Sequence, residues 1–525
     1  MFWADRIVAD IERRFGKSSG RPIIVRDEKT VSGRVHVGSM RGLAIHGIVS
    51  EALADAGVSN VFKYEFNDFD PMDDIPSYLP REKYEQYLGM PLNAVPSPDA
   101  SANSFAEYFA KDFREVITGA GFSPEFYWSS ELYLSGAMDG VIREALLGAE
   151  AIRRIYEEVS GGHREENWLP LAVICPTCGK MSTTEATDFD GETVAVRCLE
   201  NKVDWARGCG FSGRVSPFGG KAKLPWKAEW PAKWKVVGVG VEGGGKDHST
   251  KGGSRDVASH ISREVFHDEP PFDIPYEFFL VGGKKMSSSK GLGSSARDIA
   301  SLVPPKIFRL ALLSKDINQA INFDPDGDTI PVLYDLYDKL AESYHAGVRD
   351  DYSRLFELAH PSKKIPVKTF LPRFSQVAFI VQMPHLDLEH ECSLIKGDIL
   401  TDEDRIEIRE RAQYAKQWLE LYAPEKFKFV LQKEMSEAAK ELSDVQKNAL
   451  KALADFIESK ETMPDGEAMH HRIHEIKTEQ NITPADLFSA VYLAFLGKAY
   501  GPKAGWFLSV LDRDFVLNRL REVIG

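Results

Sequence analysis

Residues 22–40 read PIIVRDEKTVSGRVHVGSM, and this stretch decides the architecture. Residues 22–25 are a short apolar, β-branched run that reads as a buried strand. A loop follows to Val35, and a helical pattern begins near Gly38, continues to Ala56 and stops at Gly57. Strand, loop and helix form the opening unit of a parallel sheet with right-handed crossovers, in which ligands gather beyond the carboxyl ends of the strands. A second strand at 61–66 ends in the acidic loop Asn67-Asp68-Phe69-Asp70-Pro71, and helices are expected near 104–119 and 136–159. The chemistry should therefore lie in the loops that follow strands.

From 169 to about 225 this rhythm breaks into short strands and turns around four of the five cysteines. It resumes with a strand at 234–239, a helix at 252–265 and a strand at 276–281, so the middle piece reads as an insertion. Its cysteines are spaced Cys175-x2-Cys178-x19-Cys198-x10-Cys209, the first pair forming a tight knuckle with Gly179. Four thiolates satisfy a tetrahedral structural zinc and leave no open position for catalysis. Cys392 stands alone and reads as a small buried residue. Beyond Pro304 the pattern is almost entirely helical, with segments near 305–315, 328–347, 402–421, 434–458, 466–478, 484–499 and 513–523, which makes a separate all-helical appendage.

At roughly 100–200 residues per domain, a chain of 525 residues holds three or four domains, and 43% hydrophobic content supplies their cores. The net charge of −14 argues against indiscriminate nucleic-acid binding, which needs phosphates met by Lys and Arg, but leaves room for a local basic track. No apolar run approaches the roughly 18–20 residues that span a bilayer, and the N-terminus lacks the charged-then-apolar order of a signal peptide. With the cysteines clustered as for a metal, the expectation is a cytoplasmic protein without membrane contact.

Two loops carry chemistry. In Ser32-Gly33-Arg34-Val35-His36-Val37-Gly38-Ser39, glycines let backbone approach a nucleotide, the following helix N-terminus favours phosphate charge, and an imidazole can hydrogen-bond a phosphoryl oxygen. In Gly283-Lys284-Lys285-Met286-Ser287-Ser288-Ser289-Lys290-Gly291, lysines and hydroxyls can close over a triphosphate and stabilise departing pyrophosphate. Either motif alone is common among ordinary loops. Together, each after a parallel strand, they are specific.

The pair resembles the two signatures of class I aminoacyl-tRNA synthetases, with His36-Val37-Gly38-Ser39 standing for H-I-G-H and Lys285-Met286-Ser287-Ser288-Ser289 for K-M-S-K-S. Ser39 replaces the second His and Ser288 the middle Lys, which leaves Lys285 or Lys290 to supply the charge. The resemblance narrows to the lysyl type through Thr30-Val31-Ser32-Gly33, the run from Leu224 to Trp234, Gly245-Lys246-Asp247-His248 with Gly252-Gly253-Ser254, and Gly501-Pro502-Lys503-Ala504-Gly505 with the run from Leu511 to Val516. Val31 stands where that family usually has Pro, and Asp27-Glu28-Lys29 is unusually charged.

The resemblance implies an α/β fold: a Rossmann-type parallel-sheet catalytic domain, split into 1–168 and 226–300 by a zinc-binding insertion at 169–225, then a helical linker at 301–384 and an α-helical anticodon-binding region at 385–525. It implies activation of lysine by ATP with Mg²⁺ and transfer to tRNA(Lys), by a monomer. His36, Lys285 and Lys290 would be catalytic. Ser32, Gly33, Gly38, Ser39, Met286, Ser287 and Ser288 would join His36 and Lys285 around ATP. Thr30, Glu28, Asp68, Asp70, Trp226, Trp230 and His248 would form the amino-acid pocket, since a desolvated ammonium needs a carboxylate or aromatic lining. Tyr500, Trp506, Phe507 and Phe515, with Lys503, Arg513, Arg519 and Arg521, would meet the anticodon by stacking and charge. The rival within this fold is a glutamyl-type synthetase, marked by an arginine in the substrate pocket. The rival outside it is an inactive tRNA-binding paralogue.

Overall fold

In a computed structural model that describes residues 1–17, 20–283, 295–383 and 386–525, the first strand runs over Ile23–Thr30, well past the apolar run at 22–25. The extension Arg26-Asp27-Glu28-Lys29 is charged at every position, and it stays in the sheet because Arg26 and Glu28 find opposite charges on neighbouring elements. The sheet has four parallel strands in the order Glu125–Trp128, Asn60–Asn67, Ile23–Thr30, Val239–Val241. Helix Ser39–Asp55 follows the first strand and helix Phe105–Gly119 follows the second. After the third strand the chain returns to the opposite side of the first, so the order reverses there. An open α/β sheet binds ligands at such a switch point.

The local readings need correction at several points. Trp3–Phe15 forms a helix and Glu125–Trp128 a strand that the pattern did not reveal. The helix expected at 136–159 is two, Asp139–Leu147 and Ala149–Ser160, meeting at Gly148, where a Cβ would come within 2.7 Å of Val265. The strand expected at 234–239 is mostly helix: Trp226–Val237 is helical through Pro231, and Gly238 at φ 74° turns the chain into the fourth strand. The strand expected at 276–281 is two short pieces, Pro275–Tyr276 and Phe279–Val281, which pair in parallel with Gly244–Gly245 and Ile321–Phe323.

Within 169–225, strands Thr184–Phe189, Val194–Cys198 and Ser212–Val215 form an antiparallel sheet. A second antiparallel pair, Ala172–Val173 with Ala222–Lys223, closes the insertion at its base. The chain divides into two compact units, residues 1–323 with 343–365 and residues 324–342 with 366–525. The boundary expected at 385 therefore falls inside the second unit, because Phe379 and Met383 pack in the same core as Leu450, Ile473, Val491 and Phe507. Helices Asp402–Leu421, Gly466–Glu479, Pro484–Leu496 and Arg513–Ile524 match the helical segments expected there. The segment at 434–458 divides into Glu437–Lys440 and Asp444–Glu458.

In this second unit the residues expected to form a stacking surface divide between interior and surface, with Lys503 and Arg521 exposed. Phe507 is fully buried, Trp506 and Phe515 pack against the core, and the buried Arg519 guanidinium donates to the carbonyls of Ala494 (2.8 Å) and Lys433 (2.8 Å). Tyr500 remains exposed beside Lys498. Among the described residues, no helix is long and apolar enough to cross a membrane.

Candidate functional site

A cavity of about 450 Å³ is lined by residues at the carboxyl end of the first strand and just after the fourth. Its lining brings together Glu28, Thr30, His36, Gly38, Ser39, Asp70, Trp226, Trp230 and His248, which the sequence scatters over more than two hundred positions. Ser32 and Gly33 belong to the loop leading in and do not line it. Asp68 is also absent from the lining. Its carboxylate is spent on Ser130, accepting from the backbone N–H at 2.8 Å and the hydroxyl at 2.6 Å, so it holds the start of a helix instead. Lys285, Met286, Ser287, Ser288 and Lys290 lie outside the described residues. Sequence reasoning missed Asp27, Lys29, Arg41, Glu242 and Tyr276, all of them in the lining.

The His36 loop is held by alternation: Val35 and Val37 are buried, while His36 and Gly38 line the cavity. His36 also bridges to Ser295 through the backbone. Gly38 is required by space, since a Cβ would stand 2.9 Å from the His36 ring and 3.3 Å from the Phe279 carbonyl. Gly42, one turn on, meets the Tyr276 hydroxyl where a Cβ would be. The helix thus starts close against the cavity, with Ser39 in the lining and its positive dipole end favouring an anion.

Alternation along the first strand separates two faces. Asp27 lies beside His46 of helix Ser39–Asp55 at 3.8 Å, and Lys29 shares that face. Arg26, Glu28 and Thr30 take the other face, where the charges are buried in a continuous network. Arg26 pairs with Glu28, Glu65 (2.6 Å) and Glu242 (2.5 Å) and also donates to the Tyr127 hydroxyl at 2.7 Å. Lys233 pairs with Glu65 (2.5 Å), Glu229 (3.2 Å) and Glu28 (3.8 Å). Lys223 bridges Glu229 and Asp70 (3.1 Å), whose other oxygen accepts from Thr30 at 2.6 Å.

Trp230 and Trp234 donate their indole N–H groups to Glu242 at 3.0 and 2.9 Å. Trp226 stacks on Trp230 at 4.8 Å between centroids, and the His248 ring stands edgewise 6.1 Å from Trp230. These rings stand at a helical spacing of four, which is why the segment is a helix that places two tryptophans in the lining.

Three cations therefore face five carboxylates in this cluster. Burial pushes the Glu28 carboxyl up to about 7, against the pull of Arg26 and Lys233. Burial likewise works to raise Glu65, but Lys233 and Arg26 overcome it and hold that group well below the usual carboxylate range. Asp70 is also held low, because Lys223 and the Thr30 hydroxyl outweigh its burial. The excess of negative charge at the cavity suits a cationic guest on this face. Arg26, saturated by three carboxylates and a tyrosine, is not available to a guest carboxylate. Arg41, which lines the cavity, donates to the carbonyls of Leu312 and Asp316.

In the insertion the four cysteine sulfurs all lie within 4.8 Å of one another, with Cys175–Cys209 at 3.6 Å and Cys178–Cys198 at 3.7 Å. Tetrahedral Zn–S bonds near 2.3 Å require sulfurs about 3.8 Å apart, so the set is spaced to hold such an ion. The knuckle is closed by Gly179 N–H donating to the Cys175 carbonyl at 2.9 Å, with Gly179 left-handed at φ 73°.

Residues 1–362 match the family described as tRNA synthetases class I (K), and residues 406–524 match the anticodon binding domain. The chain is 35% identical to lysine--tRNA ligase 1 of Methanosarcina acetivorans, covering 99% of this chain and 98% of that one. It is 34% identical to lysine--tRNA ligase of Methanosarcina barkeri strain Fusaro, over 99% and 97% of the two chains. Identity is 32% to lysine--tRNA ligase of Archaeoglobus fulgidus, over 100% of each.

Proposed function

Given that this chain belongs to the class I tRNA synthetase family of the lysine type, we propose how its residues divide the work of a lysine-specific aminoacyl-tRNA synthetase. The enzyme joins lysine to ATP as lysyl-adenylate and passes the lysyl group to tRNA. The observation that carries the assignment of roles is the single cavity in which His36, Gly38 and Ser39 meet Glu28, Thr30, Asp70, Trp226, Trp230 and His248.

On the helix face, His36 hydrogen-bonds a phosphoryl oxygen of ATP, and the start of helix Ser39–Asp55 receives the triphosphate with its Mg²⁺. Lys285 and Lys290 follow the leaving pyrophosphate. On the other face the aliphatic stem of lysine lies along Trp226 and Trp230, and its ammonium is met by Glu28 and Asp70. A lysine carboxylate oxygen then bonds to the α-phosphorus as the bond to the bridging oxygen breaks, its electron pair leaving with pyrophosphate. Position and charge supply the rate enhancement, with no covalent enzyme intermediate.

Residues 1–168 and 226–300 form the catalytic domain in this scheme, 169–225 carry a structural zinc on Cys175, Cys178, Cys198 and Cys209, and the helical second unit grips the anticodon arm of tRNA(Lys). The test is ATP–pyrophosphate exchange with each of the twenty amino acids. Lysine should drive it; glutamate-driven exchange would overturn the pocket assignment, and absence of exchange with any amino acid would indicate a non-catalytic paralogue.

A further inference from the structure

Lys29 is the lysine of the cavity lining, which also includes His36, Gly38 and Ser39. Among the described residues its amine makes no hydrogen bond and no ion pair. Neighbouring charges are otherwise committed: Arg26, Lys223 and Lys233 are each locked by carboxylates, and Arg41 by carbonyls. Asp27, two residues back on the same face, is occupied by the Glu28 backbone N–H at 2.9 Å and stands 3.8 Å from the His46 ring. His46 accepts at Nε2 from the Gly243 N–H at 2.8 Å and lies with Nδ1 2.8 Å from the Gly42 carbonyl, so its ring is held between two backbone groups. A partly buried cation thus faces open volume with Asp27 and Glu28 as nearby carboxylates but none within ion-pair distance, an arrangement that an arriving anion would stabilise.

We propose that Lys29 is a further catalytic residue, whose ammonium contacts the phosphate oxygens of ATP and stabilises the charge that develops on the α-phosphoryl group. The proposal rests on the reading of the site given above and deepens it. Strand alternation selects this ligand over the amino acid: Lys29 shares the face of Asp27 and helix Ser39–Asp55, whose N-terminus favours phosphate, while Glu28 and Thr30 turn to the amino-acid side. Phosphate entering a cavity lined by Asp27, Glu28, Asp70 and Glu242 also needs a compensating charge. The signature loop has Ser288 where the family has a lysine, and Lys29 provides an ammonium from the first strand. Burial holds the Lys29 amine below the usual lysine range, with Asp27 and Glu28 opposing that shift. A phosphate contact would pull it upward.

The experiment compares the full-length parent with Lys29→Met, which keeps the aliphatic stem, and Lys29→Arg, which keeps the charge. Lysine-dependent ATP–pyrophosphate exchange in Lys29→Met should lose about 10²-fold in kcat/KM for ATP, the scale for one preorganised electrostatic partner. The KM for lysine should stay at the parent value, and Lys29→Arg should recover much of the loss. Direct titration should show ATP binding weakened and adenosine binding unchanged in Lys29→Met. A raised KM for lysine with parent ATP kinetics, or equal weakening of ATP and adenosine, would overturn the proposal. The ATP-against-adenosine arm needs no amino acid, so it judges Lys29 even if lysine fails to drive exchange in the parent and the functional reading falls.

Discussion

Replacing Lys233 by Met removes one cation from the interior of the charge network while keeping the stem that packs between helix and sheet. The Lys233 side chain is 0% exposed and its amine lies 2.5 Å from Glu65, 3.2 Å from Glu229 and 3.8 Å from Glu28. Breaking a buried ion pair by deleting one partner typically costs about 3–5 kcal/mol, because the remaining charge stays desolvated. Here Glu65 keeps Arg26 and Tyr127, while Glu229 keeps Lys223 and the Tyr133 hydroxyl. The loss should therefore fall at the lower end, about 3 kcal/mol.

Urea unfolding followed by tryptophan fluorescence, to which Trp230 and Trp234 packed against this cluster contribute, reads the change. The paired variant Lys233→Met/Glu65→Gln should recover part of the loss, since the second change removes the excess negative charge that the first leaves in the network. A single-variant loss below about 1 kcal/mol, the level of an exposed pair, or a paired variant less stable than the single one, would refute the view that these charges stand or fall together.

Glu28 offers a test by pH. With its carboxyl raised to about 7, the folded chain keeps a proton that the unfolded chain has already released, so stability should decline as pH rises through the window between the ordinary Glu value and about 7. Melting temperatures across that window should fall in the parent and flatten in Glu28→Gln, and added lysine should restore more stability at the alkaline end. An identical profile in both proteins would remove Glu28 from the titration. In the insertion, Cys178→Ser should abolish bound zinc and loosen the antiparallel sheet, because metal binding is part of the folding free energy there. Elemental analysis finding no zinc in the freshly purified parent would withdraw the metal.

The sheet was legible in the sequence wherever apolar runs met turns, and the helical second half wherever apolar spacing repeated. The first strand was read too short because Arg26-Asp27-Glu28-Lys29 has the composition of a surface loop. The groups that let it remain inside, Glu65, Lys233 and Glu242, lie tens to hundreds of residues away. The Trp226–Val237 helix was hidden by Pro231, although its three tryptophans stand at a helical spacing and settle the matter in space. Of the cavity lining, motif spacing named His36, Gly38 and Ser39, and resemblance named the ring residues. Asp68 and Asp70 could not be told apart by either route: they sit two residues apart in one loop, yet one is consumed by Ser130 and the other faces the cavity. Lys29 and Glu242 belong to no motif, and only their position in the fold marks them.

The base of the insertion has a wider bearing. Lys223 is the last residue of the antiparallel pair that closes this segment, and its amine reaches Glu229 and the cavity-lining Asp70. The cysteine-bearing segment is therefore no detachable cassette. A splice that joined its two ends and discarded the rest would take a counter-charge out of the neighbouring domain, so a graft of this segment onto another scaffold would have to bring along, or replace, the acids that Lys223 serves.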